Sequence, residues 1–252
     1  MIQFSKNHTM SKTYETGHAK NVANFQKLIE FVTGYGTVYN PAKTSLKLAT
    51  LIALQIEAQE ALEEVIAKNT LYNNAVNNRI SEFSDLRPLS TRLVNALQST
   101  DATPETIKDA NGFNKKIQGK RSSTPETPTN PDAPAPQNIS ASQMSYDQLI
   151  QHFTGLKSVL ENEKSYAPNE VDLQIDTLET KIANMITKNT AVAKAYTKVS
   201  NIRIARDKIL YIGENTLVDT ATEVKKYIKS VFGAGSPEFN QVQSLPFKKI
   251  SK

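Results

Sequence analysis

Residues 171–199 read VDLQIDTLETKIANMITKNTAVAKAYTKV. Val171, Ile175, Leu178, Ile182, Met185, Asn189, Val192, Tyr196 and Val199 stand alternately four and three positions apart for four heptads. That spacing keeps one stripe on one side of an α-helix, whereas a strand would need a period of two. Neither Pro nor Gly interrupts the stretch. The reading is a long helix with an apolar seam of coiled-coil type.

A second stretch answers it. Leu62, Val65, Asn69, Tyr72, Val76, Ile80 and Phe83 form a similar stripe, and Lys68-Asn69-Thr70 matches Lys188-Asn189-Thr190 at an offset of 120 residues. Further upstream the offset is 127: Tyr39-Asn40-Pro41 answers Tyr166-Ala167-Pro168, and Val22, Ile29, Val32, Leu46 and Leu51 answer Leu149, Leu156, Val159, Leu173 and Leu178. The two offsets differ by seven, one heptad, which a helix can gain or lose without rotating its apolar face. Near the ends, Thr103-Pro104-Glu105 answers Ser236-Pro237-Glu238, and Lys115-Lys116-Ile117 answers Lys248-Lys249-Ile250. These matches predict an internal duplication.

The rest of each half follows. Val22, Phe25, Ile29 and Val32 form an amphipathic stripe on a first helix, repeated by Leu149, Phe153, Leu156 and Leu160. The second helix starts after Pro41 or Pro168 and runs for about 40 residues, roughly 60 Å. A third carries Leu89, Leu93 and Leu97, or Leu217, Ala221, Val224, Ile228 and Val231. Ser/Thr-Pro-Glu caps a short fourth helix expected to end at Lys-Lys-Ile. Between the halves, residues 120–143 (KRSSTPETPTNPDAPAPQNISASQ) hold five of the chain's 11 Pro and no aromatic residue, so they read as a partly polyproline linker.

The expected architecture is all-α: an elongated, internally duplicated bundle with two long antiparallel helices and a pseudo-two-fold axis, the alternative being two bundles hinged at the linker. Its parts are a flexible segment over 1–16, repeat one over 17–118, the linker over 119–144 and repeat two over 145–252. Met10 is a second candidate start.

Composition narrows the chemistry. The 252 residues contain no Cys, which removes thiolate metal sites, disulfides and cysteine nucleophiles. Only His8, His18 and His152 are available as imidazoles, and a di-metal bundle needs two Glu-x-x-His motifs, whereas the chain has one, Glu15-Thr16-Gly17-His18. Glu57, Glu60, Glu63 and Glu64 read as a solvated acidic face. The net charge of +5 is spread along the chain, without a basic arm for nucleic acid. Lys225, Lys226, Lys229, Lys248, Lys249 and Lys252 make the C-terminal region basic, a candidate surface for phosphate or an acidic partner. No membrane-spanning window or secretory signal is visible, so the expected setting is the cytoplasm.

Features kept by both halves serve the fold, and features of one half point to function. Asn69 and Asn189 share one seam position, where a buried Asn fixes register. Gly34-Tyr35-Gly36, continuing to Tyr39, is the clearest one-copy feature, with Tyr35 and Tyr39 as candidate partner contacts. The competing reading ends the first helix at Gly34 and packs both tyrosines over the bundle end.

The run TGHAKNVANFQKLI from Thr16 to Ile29, with Tyr39-Asn40-Pro41 and Ser236-Pro-Glu-Phe-Asn-Gln-Val followed by Phe247, resembles a group of bacterial tandem helical proteins of unknown function, found largely in Bacteroidota. The resemblance implies a bacterial source and a helical fold, and carries no site residue. The leading functional expectation is a non-catalytic interaction or scaffold protein. It would use no cofactor and no metal, bind an unidentified protein and no specific nucleic acid, and have a second copy, as a homo-oligomer, among its candidate partners. Next comes a membrane-active protein resembling helical pore-formers, and last an enzyme with a site in the bundle core.

Overall fold

The computed structural model describes residues 17–119 and 144–250. The N-terminal segment with Met10, and the Pro-rich linker, lie outside the described residues. Among the described residues the chain is all-helical. Its helices are α1 (His18–Gly34), α2 (Leu48–Phe83), α3 (Leu86–Gln98), α4 (Pro104–Ile117), α5 (Tyr146–Asn162), α6 (Ile175–Leu210), α7 (Leu217–Phe232) and α8 (Pro237–Gln243).

Local rules account for the boundaries. Pro104 and Pro237 open α4 and α8, where a missing N–H costs nothing, and the Thr103 and Ser236 side chains accept from the N–H groups of Thr106 and Phe239. Gly213 and Asn215 take positive φ before α7, and Thr216 is its cap. Helix α3 begins two residues before Pro88, which therefore falls in its first turn.

Some elements of the two halves have equal lengths. α1 and α5 each have 17 residues, and α2 and α6 each have 36. Before each long helix the chain makes a short 3-10 turn. Tyr39 Oη donates to the Leu46 carbonyl at 2.8 Å, and Tyr166 Oη to the Leu173 carbonyl at 2.9 Å. Each Tyr-x-Pro tyrosine thus bolts the entry loop to the start of its long helix.

The compact units divide the chain differently from the repeats. One unit holds residues 17–70 and 197–250, the other 71–119 and 144–196. Neither long helix folds back, so the element before it and the elements after it enter different cores. In the first core α1 meets α7 and α8 through Phe25, Leu28, Val32, Leu217, Val224 and Val242. In the second, α3 and α4 meet α5 through Leu93, Leu97, Ile117, Phe153 and Leu156. Each core draws on both sequence halves.

The seam is narrower than its periodicity predicts. On α6, Leu178, Met185, Val192 and Val199 are buried, one heptad position. On the other line Ile175, Ile182 and Asn189 are half-buried and Tyr196 is exposed, as is Val171 before the helix. In the second unit α2 and α6 run antiparallel, tied by Tyr72 to Tyr196, Arg79 to Asn189 and Lys181 to Glu82 and Asp85.

The expected helix at Lys248-Lys249-Ile250 is absent. Lys115-Lys116-Ile117 closes α4, but α8 stops at Gln243 and residues 245–250 form no helix. Pro246 explains this, because its ring and missing N–H prevent the helix from continuing.

Two predictions follow from this packing. Tyr39→Phe and Tyr166→Phe should each cost about 1 kcal/mol by leaving a buried carbonyl unpaired, read by urea unfolding. Gly155→Ala should lower the melting temperature although it favours the helix by about 1 kcal/mol. An added Cβ there would lie 2.3 Å from the Phe113 ring, and overpacking costs about 1–3 kcal/mol.

Candidate functional site

The one-copy loop folds inward. α1 ends at Gly34, and Gly36 with φ of 59° reverses the chain, a conformation glycine adopts without strain. Tyr35 is half-buried: its ring centroid lies 5.1 Å from that of Phe232, and its hydroxyl donates to the Glu238 carbonyl at 2.9 Å. Tyr39 is buried, edge-on to Tyr227 at 5.2 Å, and burial raises its hydroxyl pKa far above the usual value. Tyr39 is therefore corrected from a partner contact to a core residue, and Tyr35 is engaged by α7 and α8. Thr37 and Val38 stay exposed.

Asn69 and Asn189 sit on the half-open line of the long helices, and the expectation of a buried Asn is corrected to a half-buried one. Arg203 Nη2 donates to Asn69 Oδ1, and Arg79 Nη1 to Asn189 Oδ1, both at 3.0 Å. Asn189 Nδ2 also donates to Asp147 at 2.7 Å. Arg79 lies 3.9 Å over the Tyr146 ring. These are matched polar ties from one long helix to the other.

The titratable candidates stay apart. Glu57, Glu60, Glu63 and Glu64 are exposed, and Gln59 and Lys68 bond Glu63 and Glu64. Among the described residues no three His, Asp or Glu side chains are grouped to hold a metal ion. A cleft of about 400 Å3 between Ala96–Asp101 and Ser165–Glu170 carries Asp101 and Glu170, both exposed, and neither histidine lines it.

His18 Nδ1 lies 2.9 Å from the Tyr211 hydroxyl. Burial and the Arg206 charge lower its pKa, while Asp207 opposes them. His152 is 6% exposed, and its Nε2 has no hydrogen-bond partner. Burial, then the Lys116 charge, lowers its pKa.

The densest polar construction was not visible in the motifs. Asn21 and Asn24, 3% and 2% exposed, sit on the inner face of α1 and hold the non-helical segment 245–250. Asn21 Nδ2 donates to the Lys248 carbonyl at 2.7 Å, and the Lys248 N–H donates back to Asn21 Oδ1 at 3.1 Å. Asn24 Nδ2 donates to the Pro246 carbonyl at 2.7 Å. From α7, Lys225 Nζ reaches the Leu245 carbonyl and lies 5.0 Å over the Phe247 ring. Lys249 pairs with Asp219 at 2.8 Å. Two of the basic residues expected to face phosphate or an acidic partner are thus committed internally; Lys252 lies outside the described residues. A sequence signal did exist. Two Asn on the inner arc of a helix are poor helix formers, and the second half has Gln148 and Gln151 in their places.

No family model, no curated protein and no solved structure matches the chain.

His152 supplies a pH test. Its pKa in the folded chain lies below the ordinary 6.5, so the unfolded chain binds the proton more readily. Its contribution to stability is complete above pH 6.5 and falls as the pH drops from there toward the folded-state pKa. His152→Phe, which installs the residue found at the matching Phe25, should flatten the stability profile below pH 6.5 in denaturant titrations.

Proposed function

We propose that this chain is a non-catalytic protein-interaction or scaffold protein. One observation carries the reading: Ile52, Ile56 and Ile66 on α2 are 43%, 53% and 66% exposed. At 100° per residue they fall within about 80° of arc on one helix face. Scattered exposed apolar residues are ordinary, but three exposed isoleucines on one arc, interspersed with the polar Gln59 and Glu63, support reading this face as a contact surface. The partner that fits is a protein presenting an apolar helix or groove. No helix among the described residues is long and apolar enough to cross a membrane.

The equal lengths of the paired helices and the matching Tyr39 and Tyr166 bonds support reading the halves as copies of one unit. The resemblance of Thr16–Ile29 supports a bacterial, Bacteroidota-type source, and the cysteine-free composition favours a cytoplasmic setting.

A photo-crosslinking residue at position 59, on the same arc, tests the surface in host cells. Wild type should yield discrete protein adducts, reduced at least tenfold by Ile52→Glu, Ile56→Glu and Ile66→Glu together, with the circular dichroism unchanged. An unchanged adduct pattern would sink the proposal. So would dye release from anionic vesicles at submicromolar protein without adducts, which would favour the membrane-active reading.

A further inference from the structure

We propose that the groove between α1 and α7 is a receptor for an extended peptide from a partner protein, filled in this chain by its own residues 245–250. The peptide it fits has an aliphatic residue, Pro, an aromatic and then cations. This rests on the interaction reading above but names a different face and a partner chemistry.

The grip is on main chain. Asn21 meets both the N–H and the carbonyl of Lys248, as a neighbouring strand would, and Asn24 takes the carbonyl of Pro246. Lys225 takes the carbonyl of Leu245. Side-chain amides that read a backbone in this way accept an extended segment of varied sequence, as strand-addition sites do. Selectivity comes from two further contacts, the Phe247 ring under Lys225 and the Lys249 ammonium on Asp219.

The burial is one-sided. Asn21 and Asn24 are almost wholly enclosed, whereas Leu245, Pro246 and Phe247 are half-buried and Lys248, Lys249 and Ile250 are exposed. Receptor polar groups at such depth demand a partner, because an unpaired buried amide costs about 1–3 kcal/mol. The segment packs against the α1–α7 core from outside through Leu245 and Phe247, and none of its own residues is fully buried. Tyr211 completes the floor, accepting from Asn21 at 3.2 Å.

The covalent tether gives residues 245–250 an effective concentration in the millimolar range, so they compete strongly with a peptide in trans. A full-length variant with Phe247→Ala and Lys249→Ala removes the two selective contacts and leaves Asn21 and Asn24 in place. A fluorescent peptide spanning residues 244–250 (SLPFKKI) is titrated by anisotropy. It should bind this variant at least tenfold more tightly than wild type. Adding Asn24→Ala should reverse the gain at least tenfold, with the circular dichroism preserved throughout. Equal or absent binding in the folded proteins would overturn the proposal. Concentration-dependent dimers of wild type, dissolved by the peptide, would replace the partner with a second copy and overturn it too. Hydrogen exchange on wild type needs no variant. The Lys248 amide should exchange at least tenfold faster than the central amides of α1 and α7; exchange together with them would make the segment part of the fold and defeat the proposal. None of these outcomes touches the crosslinks at position 59, so failure here and failure of the α2 surface are told apart.

Discussion

Two 36-residue helices without an internal Pro or Gly impose the order of everything else. A continuous helix keeps its backbone groups paired only by going straight on. The chain that enters α2 from one core therefore leaves it in another, and α6 repeats the step from the second core to the first. The helices that meet in each core come from opposite halves of the sequence. Contact across such separations carries a loop-closure cost. The bolt at each helix entry, Tyr39 on Leu46 and Tyr166 on Leu173, is local and fixes the angle at which the long helix starts. The matched motifs in the sequence are these local bolts and caps.

That division explains what was legible. Helix type, number and most boundaries could be read because they depend on spacing and caps within a few residues: Pro104 and Pro237 at first turns, Thr103 and Ser236 as caps, Leu178 to Val199 as a heptad line. Which helix meets which could not be read from periodicity. A stripe states that a face is apolar and leaves its partner open. The same limit applies to the seam. Equal apolar spacing on both lines predicted two buried rows, and the structure buries one. Asn69 and Asn189 are on the other row, where Arg203 and Arg79 satisfy them without the cost of full burial.

The candidate site was less legible for a related reason. Tyr35 and Tyr39 stood out because aromatic rings beside glycine look exposed. Yet a tyrosine carries enough apolar surface to be drawn inside whenever its hydroxyl finds an acceptor, and here the Glu238 and Leu46 carbonyls provide one. Asn21 and Asn24 escaped notice because asparagine has no periodic signature. Their partners are backbone atoms more than 200 positions away, and backbone atoms leave no mark in the sequence.

The two units differ where the halves stop matching, and the difference has a volume argument. Gly155 in α5 leaves room that the Phe113 ring of α4 fills. At the offset of 127 the first half has Leu28 instead of Gly155, fully buried, and at the offset of 133 the second half has Pro246 instead of Phe113. Leu28 lies in the first core, against which Leu245 and Phe247 pack. Pro246 also ends the helical option for 245–250, freeing main-chain groups that a helix would have paired internally. Asn21 and Asn24 are present in the first half to take those groups up, and the matching Gln148 and Gln151 face a unit in which α4 stays helical through Ile117. Pro246 thus leaves main-chain groups of residues 245–250 for side-chain amides to take up, whereas α4 pairs its own groups through Ile117.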